Sequence, residues 1–139
     1  MPGAGTSLPF RALLRKDLIL PGEGHGLRAL LDGQAAAAGH PLATLIDVDS
    51  YGSIKALVAE GLGWSILPRN AVAAEAAQGS LRAWPIRDPC LRRHVHLAHS
   101  AQRPMASAVA AVLALARETL RGLVATGAWT GAELVGDGA

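Results

Sequence analysis

The sequence predicts an α/β fold, with helices flanking a small parallel sheet, and three observations carry that prediction. Short apolar runs alternate with segments of helical periodicity, as successive βαβ units require. Gly or Pro closes one segment after another, at Pro21, Gly39, Gly61, Pro68 and Gly79. Apolar residues make up 50% of the 139, yet aromatics only 4%, so Ala, Leu and Val dominate; this suits helices on a small sheet and not a β-sandwich. The length allows one domain or slightly less.

Residues 1–17 read as a lead-in. Residues 1–7 are small, and the apolar run 10–14, flanked by Arg11, Arg15 and Lys16, predicts a short helix or linker. Leu18, Ile19 and Leu20 form a compact apolar run ended by Pro21 and the glycines Gly22, Gly24 and Gly26, as for a buried strand entering a loop. Leu27, Leu30, Leu31 and the alanines 35–38 keep a helical spacing that stops at Gly39. Residues 42–48 are β-rich and follow Pro41, which completes a βαβ unit. Asp49 or Ser50 can cap the helix implied by Ile54, Leu57 and Val58, with Gly61 and Gly63 ending it.

Further along, residues 64–67 predict a buried strand closed by Pro68, residues 71–77 a short helix, and residues 81–86 a weaker strand. Residues 93–98 alternate basic or histidine side chains with Val95 and Leu97, the pattern of a half-buried strand. The longest helix is expected over 105–124, where Val109, Val112, Leu113, Leu120 and Val124 lie near one another. Residues 125–139 are expected to be a disordered tail.

Composition excludes several functions. A formal charge of +2, with its basic residues scattered, is too weak for a nucleic-acid footprint. Cys90 is the single cysteine, so no disulfide forms within this sequence and a reducing, cytoplasmic setting is expected. No stretch approaches the roughly 20 uninterrupted apolar residues of a membrane helix, and residues 1–7 lack the pattern of a secretory signal.

Candidate chemistry is sparse. His94, His96 and His99 form an H-x-H-x-x-H cluster, but beside Arg92 and Arg93 it reads as a solvated face, so no metal and no cofactor are expected. The run G-E-G-H-G at 22–26 lacks the Lys-Ser/Thr of a phosphate loop and the spacing of a dinucleotide fingerprint, although amides at that helix start can hold an anionic group. Ser50, Ser53 and Ser65 lack a nucleophile elbow. Of Asp47 and Asp49, one is expected to cap and the other to be solvated. Pro68 follows Trp64-Ser65-Ile66-Leu67 too closely for a recognition helix after the Gly61–Gly63 turn. No catalytic constellation emerges, and no enzyme is expected.

The stretch from Asp49 to Pro68, D-S-Y-G-S-I-K-A-L-V-A-E-G-L-G-W-S-I-L-P, resembles the effector-binding domain of LysR-type transcriptional regulators, as do L-I-L-P at 18–21 and G-L-R at 26–28. The resemblance spans roughly residues 13–124. It implies a periplasmic-binding-protein-like effector domain, here subdomain II over about 18–86 plus the C-terminal strand and helix of subdomain I, with the domain bounded at 18–124. It implies a small-molecule effector, a homo-oligomer in the full-length parent that uses the helix at 71–77, and DNA contact only through an N-terminal winged helix-turn-helix that this sequence lacks. The alternative is a solute-binding protein of periplasmic type, which would carry a signal peptide and two complete lobes.

In open α/β sheets ligands bind beyond the carboxyl ends of the strands, where helices begin. Two such places stand out: His25, Gly26 and Arg28 after the first strand, and Ser50 and Tyr51 after the second. Free amides there, with Arg28 and the Ser50 hydroxyl, favour a carboxylate or other small anion, and Tyr51 or Trp64 can cover an apolar part. The competing reading is structural: Ser50 only caps, Arg28 is solvated and Trp64 is core.

Overall fold

A computed structural model describes residues 6–100, 102 and 104–135. The chain divides into two compact units, Met1–Arg93 and His94–Ala139.

In the first unit the strands are brief and parallel. Strand β1 (Leu8–Pro9) runs directly into helix α1 (Phe10–Leu13), whose Phe10 and Leu13, three residues apart on one face, are buried in the core. The expected lead-in thus supplies core side chains, each worth about 1.5–3 kcal/mol of transfer free energy on full burial. Next come β2 (Ile19–Leu20), α2 (Gly26–Ala37) and β3 (Ile46–Asp47), with Ile19 opposite Ile46 and Leu20 opposite Asp47 in a parallel pair. This is the expected βαβ unit. Ladder bonds extend from Leu45 N to Leu18 O (2.7 Å) through Val48 N to Leu20 O (2.9 Å), so residues 42–44 stay outside the strand.

On its other edge β2 takes Trp64. Trp64 N donates to Asp17 O and Ile19 N to Trp64 O, both at 2.8 Å. Leu18 and Ile19 are consequently engaged on both edges, and Leu18, Ile19 and Leu20 are all wholly buried, which is why the run is continuously apolar and does not alternate. The strand expected at 64–67 shrinks to that single bridge, Leu18 with Trp64, because the chain turns into Pro68 before a ladder can continue. Likewise only β4 (Ile86–Arg87) forms from 81–86, paired in parallel with β1; Pro85 has no N–H, but its carbonyl accepts Leu8 N at 2.8 Å.

Three helices dress these strands. Leu27, Leu31 and Ala35 of α2, spaced by four, form its buried stripe. After it Gly39 adopts φ +74°, and His40 N donates to Ala35 O at 3.0 Å, a glycine C-terminal cap as expected. Helix α3 (Tyr51–Ala59) buries Ile54. Helix α4 (Arg69–Gln78) buries no side chain completely and is fastened to α3 by Lys55, whose Nζ donates to Ala71 O at 3.0 Å and pairs with the Glu75 carboxylate. That pair, with the backbone bond at Glu75, holds the carboxyl below the usual glutamate range, although burial acts the other way. Gly63 does not end α3; it is a point of close approach, since a Cβ there would stand 2.5 Å from Asp17 O.

The second unit contains α5 (Ser107–Ala125). Thr126 closes it, its hydroxyl donating to Gly122 O at 2.8 Å, and Trp129 N returns to Leu123 O at 2.9 Å. Residues 126–135, expected to be disordered, are described as turns and irregular chain, and 136–139 lie outside the described residues. The strand expected over 93–98 does not form. Its alternation is present, but no neighbouring strand among the described residues pairs with it, and Val95 and Leu97 are exposed. No helix among the described residues is long and apolar enough to cross a membrane.

Candidate functional site

Because β2 and β3 are parallel neighbours, the helices that follow them begin side by side. His25 caps α2, its Nδ1 accepting Leu27 N at 3.1 Å. Ser50 caps α3, its Oγ accepting Ser53 N at 3.4 Å. Between these caps the His25 and Tyr51 rings meet, with centroids 5.6 Å apart and planes inclined at 59°. Gly22 N donates to Asp49 Oδ1 at 3.2 Å, tying the loop before α2 to the loop before α3. Gly26 and Arg28 of α2 and Tyr51 and Gly52 of α3 keep first-turn amides with no hydrogen bond among the described residues.

The structure therefore brings together His25, Gly26, Ser50 and Tyr51, but it assigns Arg28 and Trp64 other work. Arg28 is 7% exposed and is not solvated. Its Nε donates to Asp32 Oδ1 at 3.1 Å, and one terminal nitrogen donates to Asp47 Oδ1 at 2.9 Å and to Pro21 O at 3.4 Å. Burial alone would lower its pKa, but the bonds and charges of Asp32 and Asp47 outweigh burial and raise it. With two carboxylates already on it, this guanidinium is a pin across α2, β2 and β3 and not a free anion hook. Trp64 pairs beside Leu18, at the amino end of β2, whereas the helix starts lie past its carboxyl end. Its ring packs on Trp84 at 5.4 Å and takes Lys16 Nζ at 5.3 Å.

Both aspartates are exposed, as expected for one of them, but neither is the helix cap. Asp47 is the acid of the Arg28 pair, and Asp49 accepts from Gly22 while Ser50 does the capping. One signal for the Arg28 pair was readable. A cation on the same stripe as Leu27, Leu31 and Ala35 demands a carboxylate, and Asp32 stands one turn on. The cross-strand partner, Asp47, depends on which strand lies beside which. Of the histidines at 94, 96 and 99, the first two approach with ring centroids 6.0 Å apart, and no set of ligands placed to hold a metal occurs among the described residues. An open surface depression of about 470 Å³, lined by the exposed residues Arg11, Ala12, Arg15, Lys16 and His40, lies away from the paired helix starts.

A sequence model of the LysR substrate binding domain matches residues 2–121. Among relatives, the chain is 30% identical over 79 residues to the HTH-type transcriptional regulator BbuR of Bordetella bronchiseptica, which covers 57% of this chain and 24% of that protein. It is 32% identical over 123 residues to a probable hydrogen peroxide-inducible genes activator of Streptomyces viridosporus, covering 87% of this chain and 39% of that one. The chain thus spans well under half the length of the curated relatives it matches.

Proposed function

The chain belongs to the LysR substrate-binding domain family, and from that premise we propose that it is the small-molecule effector-binding part of a LysR-type transcription regulator. Both relatives are named as regulators of genes, which favours this reading over a solute-binding protein and over an enzyme. The observation that carries the site is the meeting of the α2 and α3 starts at the His25–Tyr51 contact, beyond the carboxyl ends of two parallel strands.

Within the family reading, residues 18–86 correspond to subdomain II and α5 to the returning helix of subdomain I. The effector's anionic group would rest on the amides of Gly26, Tyr51 and Gly52 with the Ser50 hydroxyl, while the Tyr51 ring covers its apolar part. Arg28 positions the site by holding Asp47. The nearby Asp49 carboxylate adds a requirement: it disfavours a bare anion and favours one with a hydrogen-bond donor beside the carboxylate, such as a hydroxy or amino acid. Effector binding would shift the population of a homo-oligomer that contacts DNA through a winged helix-turn-helix outside these residues.

Thermal unfolding with benzoate, lactate and L-alanine tests the site. A ligand at a hundredfold its Kd should add about 2.7 kcal/mol of stability. Lactate or L-alanine should raise Tm more than benzoate, and Ser50→Ala or Tyr51→Ala should remove the rise. A rise that survives both substitutions would place the site elsewhere.

A further inference from the structure

The depression away from the helix starts is lined by three side chains with fixed positive charge, Arg11, Arg15 and Lys16, together with His40 and Ala12. The ion pairs of Arg28, Lys55 and Arg87 lie elsewhere, and among the described residues none reaches Arg11, Arg15 or Lys16. His40 follows the carboxyl end of α2, whose dipole supplies only about half a negative charge. Three exposed cations therefore line one surface depression without an ion-pair partner among the described residues. They do so although the whole sequence carries only +2.

Lys16 adds a second, independent feature. Its ammonium lies 5.3 Å from the centroid of the Trp64 ring, a contact that holds the lysine at the rim with its charge still exposed. The two arginines offer planar forks suited to bidentate contact with oxyanions, and the lysine a mobile point charge. A DNA duplex would need a longer basic stripe, and the remaining basic residues are scattered. The depression, about 470 Å³ and lined by exposed residues, is open to a small solvent-borne anion.

We propose that this pocket is a second ligand site, distinct from the α2–α3 site, for a phosphate group, either free or on a small metabolite. Arg11 and Arg15 grip its oxygens and Lys16 swings from Trp64 toward it. Tryptophan emission and calorimetry should both follow titration with inorganic phosphate and with glucose 6-phosphate. Saturable binding is expected, with a change in emission and weakening as salt rises. Tighter binding of glucose 6-phosphate than of phosphate would identify a phosphorylated metabolite as the source, and equal binding would identify free phosphate. The double variant Arg11→Ala/Arg15→Ala, checked for folding by circular dichroism, should lose about tenfold or more in affinity. Lys16→Gln, a milder change, should remove the emission response. Ser50→Ala should leave binding intact, which separates this site from the effector site. Absence of saturation, binding unchanged in the arginine variant, binding lost in Ser50→Ala, or binding of a short DNA duplex without either phosphate ligand would overturn the proposal.

Discussion

Gly63→Ala is the substitution whose cost the geometry specifies most closely. The added methyl would stand 2.5 Å from the carbonyl oxygen of Asp17 and 3.2 and 3.3 Å from the Ile19 side chain. The first contact is with backbone, which cannot rotate away, and Ile19 is wholly buried. Overpacking of this kind costs about 1–3 kcal/mol. Relief requires moving Trp64 away from β2, which lengthens the bonds from Trp64 N to Asp17 O and from Ile19 N to Trp64 O, each now 2.8 Å. Each such bond contributes about 0.5–1.5 kcal/mol, so the expected loss is about 2–4 kcal/mol, a large share of the roughly 5–15 kcal/mol that holds a small domain. Urea unfolding followed by tryptophan emission should show a lower midpoint with an unchanged slope. Gly52→Ala is the control: in α3 its Cβ would meet only Ser50 Oγ, at 3.6 Å, so it should be neutral or stabilise by up to about 1 kcal/mol. Equal midpoints for Gly63→Ala and the parent would refute the close-approach reasoning.

Other expected outcomes follow from the same contacts. Arg28→Met should cost about 1–3 kcal/mol in chemical unfolding by leaving Pro21 O, Asp32 and Asp47 without their donor; the cost is tempered because both carboxylates are about half exposed. Ser50→Ala should cost about 0.5–1 kcal/mol, the low end for an N-cap, because its hydrogen bond is long at 3.4 Å. Glu75 has a lowered folded-state pKa, so its pairing with Lys55 stabilises the fold above the usual glutamate range and that stability is lost as pH falls through the folded value; Glu75→Gln should flatten the acid limb of a stability-against-pH curve. On the proposed reading of a homo-oligomeric regulator with α4 at its interface, a Val72→Glu change should weaken the oligomer in sedimentation, and an unchanged oligomer would remove α4 from that interface.

Much of the site's scaffold is a local matter. Capping by Ser50, the αL turn at Gly39 and the buried stripe of Leu27, Leu31 and Ala35 each involve residues within a turn or two of one another. Their spacing in the chain is their spacing in space. The continuous run Leu18-Ile19-Leu20 likewise announces a strand buried on every side. For the same reason strand lengths were poorly legible. The apolar alternation of 93–98 describes faces, but a strand exists only where a neighbour supplies hydrogen bonds.

What the sequence by itself determined is therefore the βαβ unit and the helices that follow it, the helix ends at Gly39 and Ser50, and the family to which the motif at 49–68 points. The tertiary structure alone decided which groups work together. Laying β3 beside β2 puts Asp47 on Arg28 and Tyr51 on His25, and laying Trp64 on the other edge takes it away from the helix starts and sets it under Lys16. A side chain's spacing along a helix or strand settles its face. Its partner is settled by which backbone lies 4.7–4.9 Å away across the sheet, and no pattern within one segment encodes that choice.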